Sequence, residues 1–231
     1  MKAPLPDNEA QRLAALREYH ILDTAAEQAY DDITALAAYL CDVPIAMISL
    51  VDESRQWFKS KLGLNQQETP RDVAFCAHAI LQTDPLIVRD ALKDARFADS
   101  ALVTREPYIR FYAGFPLATP DGFALGTLCA IDRRPRLLSA SRKTAMQALS
   151  RQVMALLELR RVSARMAEAL ENVKTLHGLL PICAWCKRIR DDKGYWSQVE
   201  AYVHKHTGAD FTHGICPDCL EKQRPRKTPA E

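Results

Sequence analysis

This chain of 231 residues has no apolar run approaching the roughly 20 residues that span a bilayer, so no membrane partner is expected. Met1 to Asn8 carries no apolar signal core, which points to a cytoplasmic protein. A large excess of one charge is missing too, and a net charge of +2 argues neither for nor against nucleic acid. There is no internal repeat and no low-complexity tract; only Arg224 to Glu231 has the proline-rich, charged composition of a frayed tail. A glycine-rich phosphate loop, a Ser-His-Asp arrangement and a zincin helix motif are all lacking. No kinase or cyclase output domain is recognisable, so the expectation is a protein that is not an enzyme, with no catalytic residue assigned.

The length suffices for one full domain and a small one. Seven cysteines fall into two groups: Cys41, Cys76 and Cys129 scattered early, then Cys183, Cys186, Cys216 and Cys219 in two tight pairs. In a reducing compartment such pairs point to metal rather than disulfides. Between the groups, Ser139 to Leu180 reads as one long helix. Apolar or small residues recur at steps of three and four through Leu149, Leu156, Leu159, Ser163, Met166, Leu170, Val173 and Leu180. Val153, Ala155, Val162, Ala169 and Leu176 widen that seam beyond a strict coiled coil. Two readings fit it: a connector that forms a homodimer, or an ordinary helix packed on its own domain.

Ahead of the seam, helices are expected from Asn8 to Glu18 and from Ala25 to Cys41, where Ala29, Ile33, Leu36 and Leu40 repeat at helical spacing. Ile45 to Val51 is apolar enough for a central strand, and Gln56 to Lys61 is its hairpin partner. Gln66 to Asp72 reads as irregular, Phe75 to Leu81 as a short helix, Leu86 to Asp90 as a strand and Ala91 to Glu106 as a loop with helical pieces. A second hairpin turns at Thr119-Pro120-Asp121-Gly122. The expected fold class is α+β, a mostly antiparallel sheet with the terminal helices on one face and irregular loops on the other. The boundaries drawn are 1–141 for the N-terminal domain, 142–180 for the connector, 181–223 for a metal module and 224–231 for a disordered tail.

Leu22-Asp23-Thr24, Gln56-Trp57-Phe58-Lys59-Ser60, Glu68-Thr69-Pro70-Arg71-Asp72, Phe75-Cys76-Ala77-His78, Arg110-Phe111-Tyr112-Ala113-Gly114 and Leu125-Gly126-Thr127-Leu128-Cys129 occur in that order. Together they resemble the GAF domains of bacterial signalling proteins. The resemblance implies an antiparallel sheet with a ligand-sized cavity on one face, dimerisation through the terminal helices, and a sensory role with a small-molecule effector. Trp57, Phe58, Phe75, Phe111 and Tyr112 are candidates for cavity walls, although such aromatics are more often simply core. Arg71, Cys76, His78, Asp90 and Arg110 are the nearest polar candidates, the arginines suiting an anionic ligand. Some related domains attach a tetrapyrrole to a Cys followed directly by His, whereas here Ala77 separates Cys76 from His78. An alternative is a redox enzyme of the GAF methionine sulfoxide reductase type working through Cys76 or Cys129.

In the tail, Cys183-Ala184-Trp185-Cys186 and Cys216-Pro217-Asp218-Cys219 are two CxxC units with 29 residues between them. Two residues between thiolates let both turn onto one cation, and two such units complete a tetrahedral site, so a structural Zn²⁺ held by all four is expected. A hairpin turning at Asp192-Lys193-Gly194, a helix capped by Ser197 and stopped by Gly208, and a helix beginning near Cys216 resemble a treble-clef zinc fold in layout. As a block, the tail resembles a cysteine-containing extension found after other bacterial signalling domains. Nine Lys or Arg against seven Asp or Glu from Cys183 onward is a weak footprint for phosphate, so docking to a downstream signalling protein is favoured over nucleic acid. The whole chain reads as a cytoplasmic, dimeric sensor of the signal-transduction type.

Overall fold

The computed structural model describes residues 2–177, 180–191 and 193–223. They form two compact units, Met1–Ala167 and Glu168–Glu231, with the division falling inside the long helix.

The first unit is built on a six-stranded antiparallel sheet. In chain order its strands are β1 (Ile45–Val51), β2 (Arg55–Leu62), β3 (Glu68–Pro70), β4 (Leu86–Val88), β5 (Phe111–Ala118) and β6 (Ala124–Asp132). Their spatial order is β3-β2-β1-β6-β5-β4. β1 lies between β2 and β6 and is buried along its whole length, which is why its sequence is a continuous apolar run rather than an alternation. β6 approaches β1 closely at Gly126, where a Cβ would stand 1.9 Å from the Ser49 carbonyl oxygen; no larger residue fits there without moving backbone. The short β3 occupies part of the segment expected to be irregular. Its three residues pair with Arg55 to Trp57 at the sheet edge, and Glu68 is fastened by an ion pair to Arg55 at 2.7 Å. Polar composition hides such an edge strand, because neither face of it is a regular apolar row.

Period-two alternation divides the sheet into two cores. Ala46, Ile48 and Leu50 turn to one face with Trp57 and Phe111, where they meet Leu16, Tyr30, Ala37 and Val153 from the helices. Met47, Phe58, Tyr112, Cys129 and Ile131 turn to the other, against Phe75, Cys76 and Phe97. On the first face lie α1 (Glu9–Glu18) and α2 (Gln28–Cys41). α2 begins three residues later than its apolar spacing suggests. The Lys59 ammonium explains this, since it donates hydrogen bonds to the preceding stretch: to Thr24 Oγ1 at 2.9 Å, the Ala25 carbonyl at 2.7 Å and Glu27 Oε1 at 2.6 Å. The same Glu27 oxygen accepts from Arg160 at 2.7 Å. The second face carries the short helices α3 (Phe75–Ala79) and α4 (Ala101–Thr104) with their connecting loops.

The long helix α5 spans Ala140–His177. Met146, Ser150, Val153, Met154 and Leu157 are buried in the first unit, so the first half of the expected connector is part of the domain. Beyond it Leu159, Val162, Met166 and Leu170 are between 48% and 66% exposed, a stripe of large apolar side chains left uncovered by the described residues. The seam positions Val173 and Leu176 lie outside the residues described at side-chain level.

The second unit contains a two-stranded antiparallel ribbon, β7 (Ile189–Arg190) and β8 (Trp196–Ser197), followed by α6 (Val199–Thr207) and α7 (Pro217–Gln223). Ser197 sits in β8, and Gln198 takes the helix-start position instead; its side chain makes no capping bond. Gly208 ends α6 at φ +71°, the left-handed value that favours glycine. Asp192 of the expected turn and the tail Arg224 to Glu231 lie outside the described residues. No described helix is long and apolar enough to cross a membrane.

Candidate functional site

A cavity of about 110 Å³ lies on the second face of the sheet, under α3 and the α4 loop. Its walls are Met47 from β1, Phe58 from β2, Phe75 from α3, Tyr112 from β5 and Ile131 from β6, with Leu102 and Ile109 closing the loop side. Gln66 and Glu106 also line it and are exposed, so they mark its mouth. Two polar atoms in this wall have no hydrogen-bond partner among the described residues: Oε1 of Gln56, a residue 6% exposed, and Oγ1 of Thr69. Buried polar atoms normally find partners, so a wall that leaves two unpaired is suited to a molecule that pairs them.

The sulfur of Cys76 forms part of the same wall and is the focus of several donors. Thr127 Oγ1 donates to it at 3.0 Å and the Tyr112 hydroxyl at 3.2 Å. Burial alone would raise the thiol pKa. The polar groups packed around the sulfur, with the Thr127 and Tyr112 hydroxyls donating to it, outweigh burial and bring the value down from 9.0 to about 7. Cys129 moves the opposite way, raised chiefly by burial, and its thiol donates to the Met47 carbonyl at 3.6 Å. Tyr112 can fold its ring across β5 to reach the sulfur because residue 114 is glycine; a Cβ there would lie 2.1 Å from the Tyr112 oxygen. Cys41 sits elsewhere, in the helix-side core, where burial lifts its thiol to about 11.

Of the ten residues expected at the ligand site, the structure brings Phe58, Phe75, Cys76 and Tyr112 together around this cavity. Trp57 and Phe111 go to the opposite face of the sheet, into the helix-side core. The physical reason is strand alternation: neighbours in a strand cannot both face one cavity, and Trp57 adjoins Phe58 as Phe111 adjoins Tyr112. Arg71 is held by Glu9 at 2.6 and 3.1 Å and by the Asp52 carbonyl at 3.0 Å. Arg110 and Asp90 pair with each other through two bonds of 2.8 and 3.0 Å. Both guanidinium groups thus spend their charge on carboxylates away from the cavity. His78 lies edge-on to Phe97, with ring centroids 4.9 Å apart. Gln56 and Thr69 are the functional candidates that sequence reasoning missed. Gln56 is two residues before Phe58 on the same strand, so alternation was the signal that could have found it.

In the second unit, Cys183 and Cys186 form a tight turn: the Cys186 N–H points to Cys183 Sγ at 3.5 Å, and the Cys183 N–H donates to the Arg188 carbonyl at 2.8 Å. Lys187 completes the turn at φ +60°. Backbone N–H groups of Cys186 and Trp185 lower the Cys183 pKa, and those of Cys219 and Asp218 act similarly on Cys216. The chemistry of each pair, a thiolate supported by backbone amides, suits zinc. Among the described residues, however, no three Cys, His, Asp or Glu side chains gather closely enough to hold a metal ion.

The GAF domain family profile matches residues 25–157. A cyclic di-GMP phosphodiesterase of Pseudomonas aeruginosa is 46% identical over 143 residues, which make up 62% of this chain and 24% of that protein. The chain therefore spans about a quarter of that relative's length. The expectation of a protein that is not an enzyme does not survive this finding, because a relative of such identity bears the name of a phosphodiesterase. Among solved structures, the GAF domain of an Acinetobacter phosphoenolpyruvate-protein phosphotransferase superposes with a TM-score of 0.50 at 16% identity, covering 67% of this chain and 98% of that one. The blue-light absorbing form of the Thermosynechococcus elongatus PixJ GAF domain gives 0.48 at 16% identity, covering 72% and 96%. With more than half of its length matched by the family profile and its sheet and flanking helices in place, the chain belongs to the GAF domain family.

Proposed function

We propose that this chain is a sensory protein of cyclic di-GMP signalling whose GAF cavity receives a small, uncharged effector. The observation that carries this reading is the cavity of about 110 Å³ with Gln56 Oε1 and Thr69 Oγ1 in its wall and unpaired among the described residues. That volume is below the ~300–1,000 Å³ of sites for drug-sized ligands, so the effector is smaller than a dinucleotide. The identity with a cyclic di-GMP phosphodiesterase supplies the signalling context. In this reading two copies meet through the apolar stripe Leu159, Val162, Met166 and Leu170, and the cytoplasmic tail docks to a downstream protein. Cys183, Cys186, Cys216 and Cys219 then hold a structural Zn²⁺ once the two dithiols close on it.

Native mass spectrometry of the gently purified chain, beside its Ile109→Trp variant, tests the cavity. An added small-molecule mass on the natural chain and its loss from the variant is the expected result. No bound species, together with no change in melting temperature across a panel of small metabolites, would reject the reading.

A further inference from the structure

We propose that Cys76 is a modification site for a small hydroperoxide admitted through the GAF cavity. This deepens the sensory reading and rests on that cavity being the effector site. Three features converge on it. The sulfur forms part of the cavity wall and is held by hydroxyl donors at 3.0 and 3.2 Å, an environment that favours the thiolate, the form that attacks. The unpaired Gln56 Oε1, in a side chain more than nine-tenths buried, requires a donor, and the O–H of a hydroperoxide is one. The lining contains no cationic side chain among the described residues, and its one charged member is the rim carboxylate Glu106. A neutral ligand with an apolar body and an O–H group matches this wall, whereas an anion does not.

The step balances within the two reactants. Cys76 sulfur takes the terminal oxygen of R–O–O–H as the O–O bond breaks, and the thiol proton ends on the departing alkoxide. The products are Cys76 sulfenic acid and the alcohol R–OH; sulfur is oxidised by two electrons and the peroxide is reduced by the same two.

The full chain is treated with tert-butyl hydroperoxide, denatured, alkylated with iodoacetamide and digested, and the unalkylated fraction at each cysteine is followed with time by mass spectrometry. Cys76 should oxidise at least roughly tenfold faster than buried Cys41, in line with the difference in thiolate character. Ile109→Trp, which fills the cavity, should remove that advantage while exposed Cys186 reacts as before. Oxidation of Cys76 no faster than Cys41 in the natural chain, or at an unchanged rate in Ile109→Trp, overturns the proposal. Slow Cys76 oxidation in a chain that still carries a small-molecule mass would reject the peroxide chemistry and leave the sensory reading standing.

Discussion

Glu9 holds two guanidinium groups at once. Its carboxylate accepts from Arg12 at 2.8 and 2.9 Å and from Arg71 at 2.6 and 3.1 Å, and the two arginine side chains are 1% and 7% exposed. Burial pushes the Glu9 pKa up, but the two arginines pull it further down, from 4.5 to about 2. A carboxylate depressed in the folded state contributes its stability in full above its unfolded value and loses it as pH falls through the folded one. The contribution of Glu9 is therefore present above about pH 4.5 and fades towards pH 2. Glu9→Ala strands two buried cations, and urea unfolding at pH 7 should show a loss of about 3–5 kcal/mol. Near pH 2 the variant and the natural chain should converge. At this scale the sequence was only partly legible. Phe58, Phe75, Cys76 and Tyr112 were marked as candidates from residue type, but type alone put Trp57 and Phe111 beside them, and only the strand's period of two separates the pairs. The partners of Arg71 and Arg110 could not be read at all, because Glu9 is 62 positions away from Arg71 and Asp90 is 20 from Arg110.

Among the elements, α5 was the most legible, since a long apolar repeat at helical spacing has few other readings. What spacing could not decide was which partner each part of the repeat meets. Leu149, Val153 and Leu156 of the repeat pack on the chain's own core, beside Met146 and Leu157, which the repeat did not include, while Leu159, Met166 and Leu170 remain 62% to 66% exposed. If that second stripe joins two copies, replacing all three with Glu should convert a dimer to a monomer in light scattering coupled to size exclusion. The melting temperature of the GAF domain should change little, because these side chains contribute nothing to its interior. A natural chain that is already monomeric at high concentration would remove the interface. The strands β1, β2, β5 and β6 were readable from apolar runs and the Pro120–Gly122 turn. β3 was not, because its place is decided by main-chain pairing with β2. The late start of α2 has the same kind of cause, a lysine from another element drawing oxygens from residues 24–27.

For the whole molecule, the two units differ in what holds them. The first has two apolar cores, one on each face of its sheet. The second buries Ile189 but leaves Trp185 95% exposed and Ile215 63% exposed, too little interior for a small fold to stand on its own. Metal would supply the missing free energy. Elemental analysis of the purified chain should find one zinc per chain. Its removal by chelation should make residues after about 180 sensitive to protease while Met1–Ala167 stays resistant. Zinc-free protein with an equally resistant tail would show that metal plays no part in its folding. Cysteine spacing gives the expectation of a separate metal module but leaves the distance between the two dithiols open, since spacing says only which thiols can share a cation.

The Glu27 carboxylate described above gives the first unit a mechanical property. One of its oxygens is gripped by Lys59 from β2 and by Arg160 from α5, at 2.6 and 2.7 Å. Lys59 follows directly after Phe58, a wall of the cavity, so the strand is a lever with the cavity at one side and this grip at the other. Charge attraction of this kind weakens with every added fraction of an ångström once water can enter. Any displacement of β2 by a guest in the cavity must therefore either drag Glu27 with it, loosening the hold on Arg160, or leave Glu27 to the helix and release the lysine. One oxygen pinned by both keeps strand and helix in register, and it is also the point at which that register can slip.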